Sequence, residues 1–442
     1  MTAPIRVQTF AAATAPLNVI IIGGGIGGLC LAQGLKKAGV KVAVYERDRS
    51  PTDRLQGYRV HISPNGSRAL AECLPPHLFA AFDRTCGKAT RAMRFLTEDF
   101  GVLLSLSTEF ASPDPVAKHR SVSRISLRQV LLAELDDVVH FDKTFTHYEE
   151  LSDGGVVAHF ADGAWAVGDV LVAADGGGSQ VRRQFLPHAP RLDTGVVGIA
   201  GKVFLDETAR RRLAPILLDG LCLMSSKGAG LFVAVQELGD DTPAGIGGND
   251  AGAAGAHFDN TRSYVMWALG ARRARFGLAD DSDTPNSETL RTIALDAMAP
   301  WDDRFRELVH LADPDTINIL PIRTSAPVAP WPTRRVTLIG DAIHAMTPYR
   351  GIGANIALKD AMLLCRALTA AQRGEQDLFA AIGGYEAATR DYGFKAVAES
   401  LATMHQMVDS TALGRALGRT FFRVVDRLPP VKRAMFRRLG EE

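Results

Sequence analysis

The sequence predicts an α/β fold: a Rossmann-like dinucleotide-binding core, an antiparallel sheet inserted into it, and a helical C-terminal region. Three observations predict this. Residues 18–46 read in order as strand, glycine turn, helix, strand and acid. Residues 169–185 and 334–368 repeat the run from strand through glycine-rich turn to helix. Between these two, residues 186–330 hold segments such as VVGIAGKVFL and RSYVMWALGA that alternate like antiparallel strands.

The first unit is the most informative. An apolar run, Val19 to Ile22, meets Gly23, Gly25 and Gly28 in G-x-G-x-x-G spacing. Gly23 allows the tight turn, Gly25 lets the backbone approach a pyrophosphate, and Gly28 lets helix and strand pack closely. The helix that follows offers free N–H groups and a positive dipole end to phosphates. The second strand, Val40 to Tyr45, ends on Glu46, 18 residues after Gly28. A carboxylate there accepts both hydroxyls of an adenosine ribose, which favours FAD or NAD over NADP.

Bulk properties exclude several classes. The chain has 442 residues, 46% hydrophobic and 22% charged, with a net charge of +1, so no global field draws it to nucleic acid. Cys30, Cys73, Cys86, Cys222 and Cys365 show neither C-x-x-C nor metal spacing. They read as reduced thiols of a cytoplasmic protein with no metal site. No apolar run reaches the roughly 18 residues of a membrane span. The expected organisation is a flexible tail (1–16), a cofactor-binding domain in two parts (17–185 and 331–375), a substrate-binding sheet (186–330) and a helical region (376–442).

Local signals fill in the rest. Residues 57–62 (GYRVHI) read as a short strand, and Pro64-Asn65-Gly66 as a turn into a helix ending near Cys73. Residues 121–135 read as a helix with an N-cap-like Ser126. SETLRTIALDAM reads as one helix interrupting the inserted strands. Tyr264, Trp267 and Phe232 lie in those strands, where core packing is the default and pocket lining the alternative. Arg59 and His61, two apart in a strand, share one face. Arg415, Arg419, Arg423 and Arg427 recur every four residues beside Leu413, Leu417, Phe421 and Val424. They suggest an amphipathic helix packed on the body with solvated arginines, or else attraction to an acidic partner or membrane surface.

Taken in order, GGGIGGL…YER, ADGGGSQVR (174–182) and LIGDAIHAMTPYRGIGAN (338–355) resemble one family. It is the single-component FAD-dependent monooxygenases, the group A aromatic hydroxylases with a p-hydroxybenzoate-hydroxylase-like fold. The resemblance covers roughly residues 18–400 and implies a Rossmann-like FAD-binding fold. Gly23, Gly25, Gly28, Glu46 and Arg47 would bind the ADP half of FAD, and Arg59 its phosphates or ribityl chain. Arg124 would reach the flavin side. Asp175 and Gly176 would serve the FAD phosphates and transient nicotinamide docking, and Asp341 the ribityl hydroxyls. Gly351, Gly353 and Asn355 would bring a helix N-terminus under the flavin pyrimidine edge.

The same resemblance implies NADPH or NADH as a visiting reductant and O₂ as co-substrate. A small aromatic or polyketide-like substrate would be oxygenated through a flavin C4a-hydroperoxide, in secondary metabolism or aromatic catabolism. Epoxidation and Baeyer–Villiger-type insertion share that chemistry, and an FAD-dependent reductase or dehydrogenase is the reading outside it. Neither the W-x-W-x-I-P of halogenases nor the P-x-x-Y-x-W of geranylgeranyl-reductase-like enzymes occurs. The thioredoxin-like C-terminal domain of phenol hydroxylases is expected to be absent. His61, as a base towards a phenol, and Arg350, as a clamp for an acidic or phenolate substrate or the nicotinamide, are the candidates for direct chemistry, with a solvent-facing arginine the equal alternative for Arg350. A structural role is the main reading of His61, and loop ordering that of His344. The sequence departs from the family pattern at Tyr349, Arg350 and Ala357, all near the expected flavin.

Overall fold

The computed structural model describes residues 16–51, 53, 58–88, 91–107, 114–152, 154–239, 262–279, 284–409 and 411–432. The strand Asn18–Ile22 is the centre of a five-stranded parallel sheet. Its neighbours are Val170–Ala173 on one side and Lys41–Tyr45 on the other, with Val336–Leu338 and Val139–His140 at the edges. Both faces of the central strand are covered. Val19 and Ile21 pack with the helix Ile26–Lys37 and the helix Gly353–Gln372, whereas Ile20 and Ile22 pack against an antiparallel layer including Val156, Ala158 and Phe160. That double burial is why these strands read as unbroken apolar runs.

Register aligns the strand ends. Ile22 lies opposite both Tyr45 and Ala173, and Ala173 opposite Leu338. The turns that begin at Gly23, Glu46, Ala174 and Ile339 therefore leave the sheet at one carboxyl edge, where open α/β sheets bind ligands.

The inserted sheet has seven strands, in the order Asn318–Ser325, Arg191–Phe204, Tyr264–Arg272, Ala229–Gln236, Gly220–Ser226, Ala92–Leu96 and Val102–Ser107. Its last two strands come from the stretch expected in the first part of the cofactor domain, so the substrate-side sheet is wider than residues 186–330. Gly220–Ser226 runs parallel to Ala92–Leu96, and the other pairs are antiparallel. Alternation sorts the side chains. Val197, Ile199, Val203, Val265, Trp267 and Leu269 enter a core with the helices Ser287–Ala297 and Asp303–His310. Ala200, Lys202, Tyr264, Met266, Ala268 and Phe232 take the other face, towards the nucleotide-binding part. Trp267 is thus core, and Tyr264 and Phe232 belong to the inner face.

Two local expectations need correction. Pro64-Asn65-Gly66 is the first turn of the helix Pro64–Cys73 itself, with the Ser63 side chain accepting the Gly66 N–H at 3.3 Å. Proline is pre-organised for that position because it has no N–H to leave unsatisfied. Ser126 caps nothing. Arg120–Ser123 is a strand paired with Arg59–Ile62, and Ser123 caps the helix Arg124–Leu132. The C-terminal part is helical, as Leu378–Val408 and Ala412–Asp426. Residues 1–15 of the expected tail, the loop over 240–256 and the chain past 432 lie outside the described residues.

Trp267 is fully buried, and the tight approach of Gly201 to its ring shows how closely that core is filled. Trp267→Ala is expected to cost about 3–5 kcal/mol, read as a lower urea midpoint. An unchanged midpoint would contradict this packing.

Candidate active site

The crevice at the carboxyl edge is shaped by what its glycines leave out. Gly23 has φ +109°, and any Cβ there would collide with the Ala174 carbonyl of the neighbouring turn. At Gly25 an added Cβ would meet nothing within 4 Å. Gly25 also precedes the helix Ile26–Lys37, whose first turn has no side-chain cap. Free N–H groups facing open space are what a pyrophosphate requires. Glu46 is buried beside them. Its Oε2 accepts the Gly24 N–H at 2.6 Å and its Oε1 the Asp48 N–H at 3.0 Å, so the carboxylate is held in place with lone pairs left for ribose hydroxyls. Arg47, next in the chain, is exposed.

The second turn is built by Asp175. Its Oδ2 accepts the N–H groups of Gln180 and Val181 at 2.9 and 3.4 Å, at the start of the helix Gln180–Phe185, whose N-cap is Ser179. Burial raises its pKa, against the lowering effect of Ser179 and these backbone donors. Gly176 follows at φ +74°. Arg182 then straps this turn to the third one, donating to the Ala342 carbonyl at 2.8 Å and the Gly177 carbonyl at 3.0 Å.

The third turn hangs on a carboxylate that sequence reading passed over. Asp360, fully buried in the helix Gly353–Gln372, accepts from Gly340 N–H at 2.7 Å, His344 Nε2 at 2.7 Å and Thr389 Oγ1 at 2.8 Å, and from the Tyr392 hydroxyl. Burial is the largest influence on His344 and would lower its pKa, but the Asp360 charge, the hydrogen bond to Asp360 and the Asp341 charge together outweigh it and the net shift is upward. The same pairing lowers Asp360 despite its burial. His344 is therefore a loop-ordering residue. Asp341, one position after Gly340, stays exposed at the crevice, with Arg191 close enough to feel its charge.

Asn355 is also a clamp. Its Oδ1 accepts the Ser63 N–H at 2.8 Å and its Nδ2 donates to the His61 carbonyl at 2.9 Å, tying the start of its helix to the strand Arg59–Ile62. His61 itself stacks on His119, with 3.1 Å between His61 Nε2 and His119 Nδ1. Its partner is that ring rather than backbone. Burial, then Arg59 and His119, push its pKa down to about 3, so it is neutral near pH 7. Arg59 is lowered to about 10 by burial, offset by Tyr264. That neighbour belongs to the seven-stranded sheet, so Arg59 sits at the seam between the two parts and not only on the cofactor side. Lys202, fully buried on the inner face, holds its Nζ 4.6 Å from the Tyr264 ring centre and 5.4 Å from that of Tyr58.

Gly351 (φ +65°) and Gly353 open the helix N-terminus as expected, with no side-chain cap. Before them, Tyr349 lies over Gly270 of the inner face, and Arg350 is ion-paired with Glu399. Arg124 is exposed, and Arg128 instead reaches the first turn, donating to the Gly24 carbonyl at 3.1 Å and lying 3.6 Å from Asp48. The structure thus gathers Gly23, Gly25, Gly28, Glu46, Asp175, Gly176 and Asp341 along one edge. It adds Arg128, Arg182 and Asp360, whose only sequence signal was proximity to a motif.

Residues 21–98 match the family model of an NAD(P)-binding Rossmann-like domain, and residues 250–400 that of an FAD binding domain. The FAD-dependent urate hydroxylase of Klebsiella pneumoniae is 31% identical over 379 residues, covering 84% of this chain and 85% of that protein. A Photorhabdus luminescens crystal structure assigned as an FAD containing monooxygenase aligns with TM-score 0.78 at 33% identity, over 90% of this chain and 100% of that one. A dual O-methyltransferase/FAD-dependent monooxygenase of Phaeosphaeria nodorum is 31% identical over 396 residues, 83% of this chain. The chain spans only 42% of that relative's length. The chain belongs to the FAD-dependent monooxygenases. FAD is the family's cofactor, and the open approach at Gly25, the uncapped helix and the buried Glu46 carboxylate fit its ADP half.

Asp360→Asn removes the buried carboxylate that pairs with His344 and is expected to cost about 3 kcal/mol or more, with loss of bound flavin absorbance. Full stability and flavin content would remove its assigned role. His61 favours the neutral form when folded, so its contribution is complete above its ordinary pKa of 6.5 and is lost as pH falls towards about 3. His61→Asn is therefore expected to flatten the acid-side fall of melting temperature in that window. An identical slope in the variant would contradict the assignment.

Proposed function

We propose that the protein is an NAD(P)H- and O₂-dependent FAD monooxygenase that hydroxylates, or otherwise oxygenates, an aromatic or polyketide-like phenolic substrate. The observation that carries this reading is the convergence of three glycine turns on one strand edge, opposite an apolar sheet face. Gly25 and the helix after it would take the pyrophosphate, Glu46 the adenosine ribose, and Asp341 the ribityl chain. The uncapped start of the helix Gly353–Gln372 would set a positive dipole end against negative charge on the ring system. FAD, when bound, supplies hydride acceptance from the nicotinamide and activation of O₂.

The remaining work falls to this chain. Leu223, Phe232, Ala268 and Leu320 lie on the inner face and are not fully buried, so an apolar substrate has a wall to rest on and water has little to bind. Arg59 and Lys202 add positive charge at the seam beside Tyr58 and Tyr264. At an effective dielectric near 20, opposite unit charges about 10 Å apart attract by about 1.7 kcal/mol, which is the scale on which a phenolate would feel such a cation. His61, neutral near pH 7, adds no competing charge. The names of the relatives, a urate hydroxylase and a dual O-methyltransferase/FAD-dependent monooxygenase, support FAD-dependent oxygenation of a small molecule.

The test is aerobic turnover with NADH or NADPH and a panel of phenols, quinones and aromatic polyketides under ¹⁸O₂. The expected product carries one ¹⁸O atom. Reduction of substrate without oxygen uptake would replace this reading with a reductase. Lys202→Met is expected to raise KM for the phenolic substrate about tenfold through the lost attraction, with flavin content retained. An unchanged KM would remove the cation from substrate recognition.

A further inference from the structure

The helix Ala412–Asp426 uses only part of its apolar surface to reach the body. Phe422 stacks on Phe95 with ring centres 4.5 Å apart, and Val425 is buried with Leu104 and Leu106. Asp426 Oδ1 accepts the Ser105 N–H at 3.1 Å, and Arg419 pairs with Glu98. These contacts fix the helix along the outer strands of the seven-stranded sheet. Another apolar row faces out: Leu413, Leu417, Phe421 and Val424 are 70%, 63%, 54% and 50% exposed. At 100° per residue they fall within a stripe about 80° wide. Leu428 and Val431, also exposed, follow just beyond. Single exposed apolar residues are ordinary, but a contiguous row marks a surface that something covers.

Charge indicates what covers it. Residues 411–442 contain eight Lys/Arg and three Asp/Glu, two of them the last two residues, whereas residues 1–410 contain 42 Lys/Arg against 46 Asp/Glu. A near-neutral chain therefore consists of a slightly acidic body and a strongly basic stretch. Arg423 and Arg427 are exposed beside the stripe, on the flank away from Val425. A second copy docked through this helix would bring two basic stretches into one interface. An anionic bilayer meets both demands at once: acyl chains for the stripe, headgroup charge for the arginines. No helix among the described residues is long and apolar enough to cross a membrane, so any such contact lies in the interface plane.

We propose that this helix docks the protein peripherally on an anionic lipid surface. Leu413, Leu417, Phe421 and Val424 enter the acyl boundary, with Arg423 and Arg427 at the headgroups. The inference is independent of the reaction at the crevice.

Vesicle co-flotation of the full chain tests it, using phosphatidylcholine alone or with about 30% phosphatidylglycerol. The wild type is expected to float with the anionic vesicles, at least about tenfold less with neutral ones, and to be released by ~0.5 M NaCl. Leu417→Ser with Phe421→Ser, and separately Arg423→Glu with Arg427→Glu, are each expected to cut recovery about tenfold or more, with unchanged circular dichroism and melting temperature. No flotation with anionic vesicles, or equal recovery of folded variants, overturns the proposal. So does a wild-type dimer that the serine pair converts to monomer without any vesicle binding, which would make the stripe a self-association face.

Discussion

The buried carboxylate of Asp360 is the constraint on which the crevice depends. An ion removed from water costs several kcal/mol unless its lone pairs are filled, and here every filling group comes from a segment the site needs. Gly340 and His344 belong to the turn after the last parallel strand, and Thr389 and Tyr392 to the long helix behind it. Gly393 leaves room for the imidazole ring, since a Cβ there would press on His344 at 2.6 Å. Satisfying one buried charge thus fixes the turn that presents Asp341. Two acids nineteen residues apart divide the labour, Asp360 hidden and committed, Asp341 exposed and available.

The parts of this arrangement that were legible in the sequence are those whose requirement is local. Gly23 must turn where a Cβ would strike Ala174, and the strand before it is buried on both faces, so glycine spacing and an apolar run announce it. Glu46 ends a strand at a fixed offset from that turn. Clamps were illegible because their partners are remote in the chain. Arg182, in QVRRQF, reads as a solvated helix residue, yet it spans 160 positions to the Ala342 carbonyl. Asp360 follows a lysine on an amphipathic helix and reads as surface charge. Ala92–Leu96 and Val102–Ser107 were missed for a related reason: their place in the sheet rests on pairing with Gly220–Ser226, more than a hundred residues on. Ser126 reads as a cap from its own window because nothing there reveals that Arg120–Ser123 pairs with Arg59–Ile62.

The seam between the two parts follows different electrostatic rules from the crevice. At the crevice, N–H groups and a helix end await negative charge. At the seam, Arg59 and Lys202 lie among Tyr58, Tyr264 and a histidine pair held neutral. Burial also pushes the Tyr58 hydroxyl up to about 12 and Tyr264 upward, so neither phenol neutralises these cations near pH 7.

The departures from the family pattern resolve into the same kind of paired fitting. Tyr349 is bulky where the pattern has smaller or different groups, and the inner face answers with Gly270, where any Cβ would meet the tyrosine hydroxyl. Ala357 replaces a glycine, and its methyl lies only 3.4 Å from an added Cβ at Gly27 and 3.0 Å from one at Gly340. Those two glycines leave the space that the methyl occupies. Arg350, which could have been an open clamp, is engaged by Glu399 from the long helix. Each substitution is thus absorbed by a partner on another segment, and the backbone course of the crevice is kept. What changes is the lining: a tyrosine ring lies across the inner face beside Gly270, and the arginine next to it is drawn towards the helix. Any selectivity peculiar to this chain is therefore expected from the shape of the chamber near Tyr349.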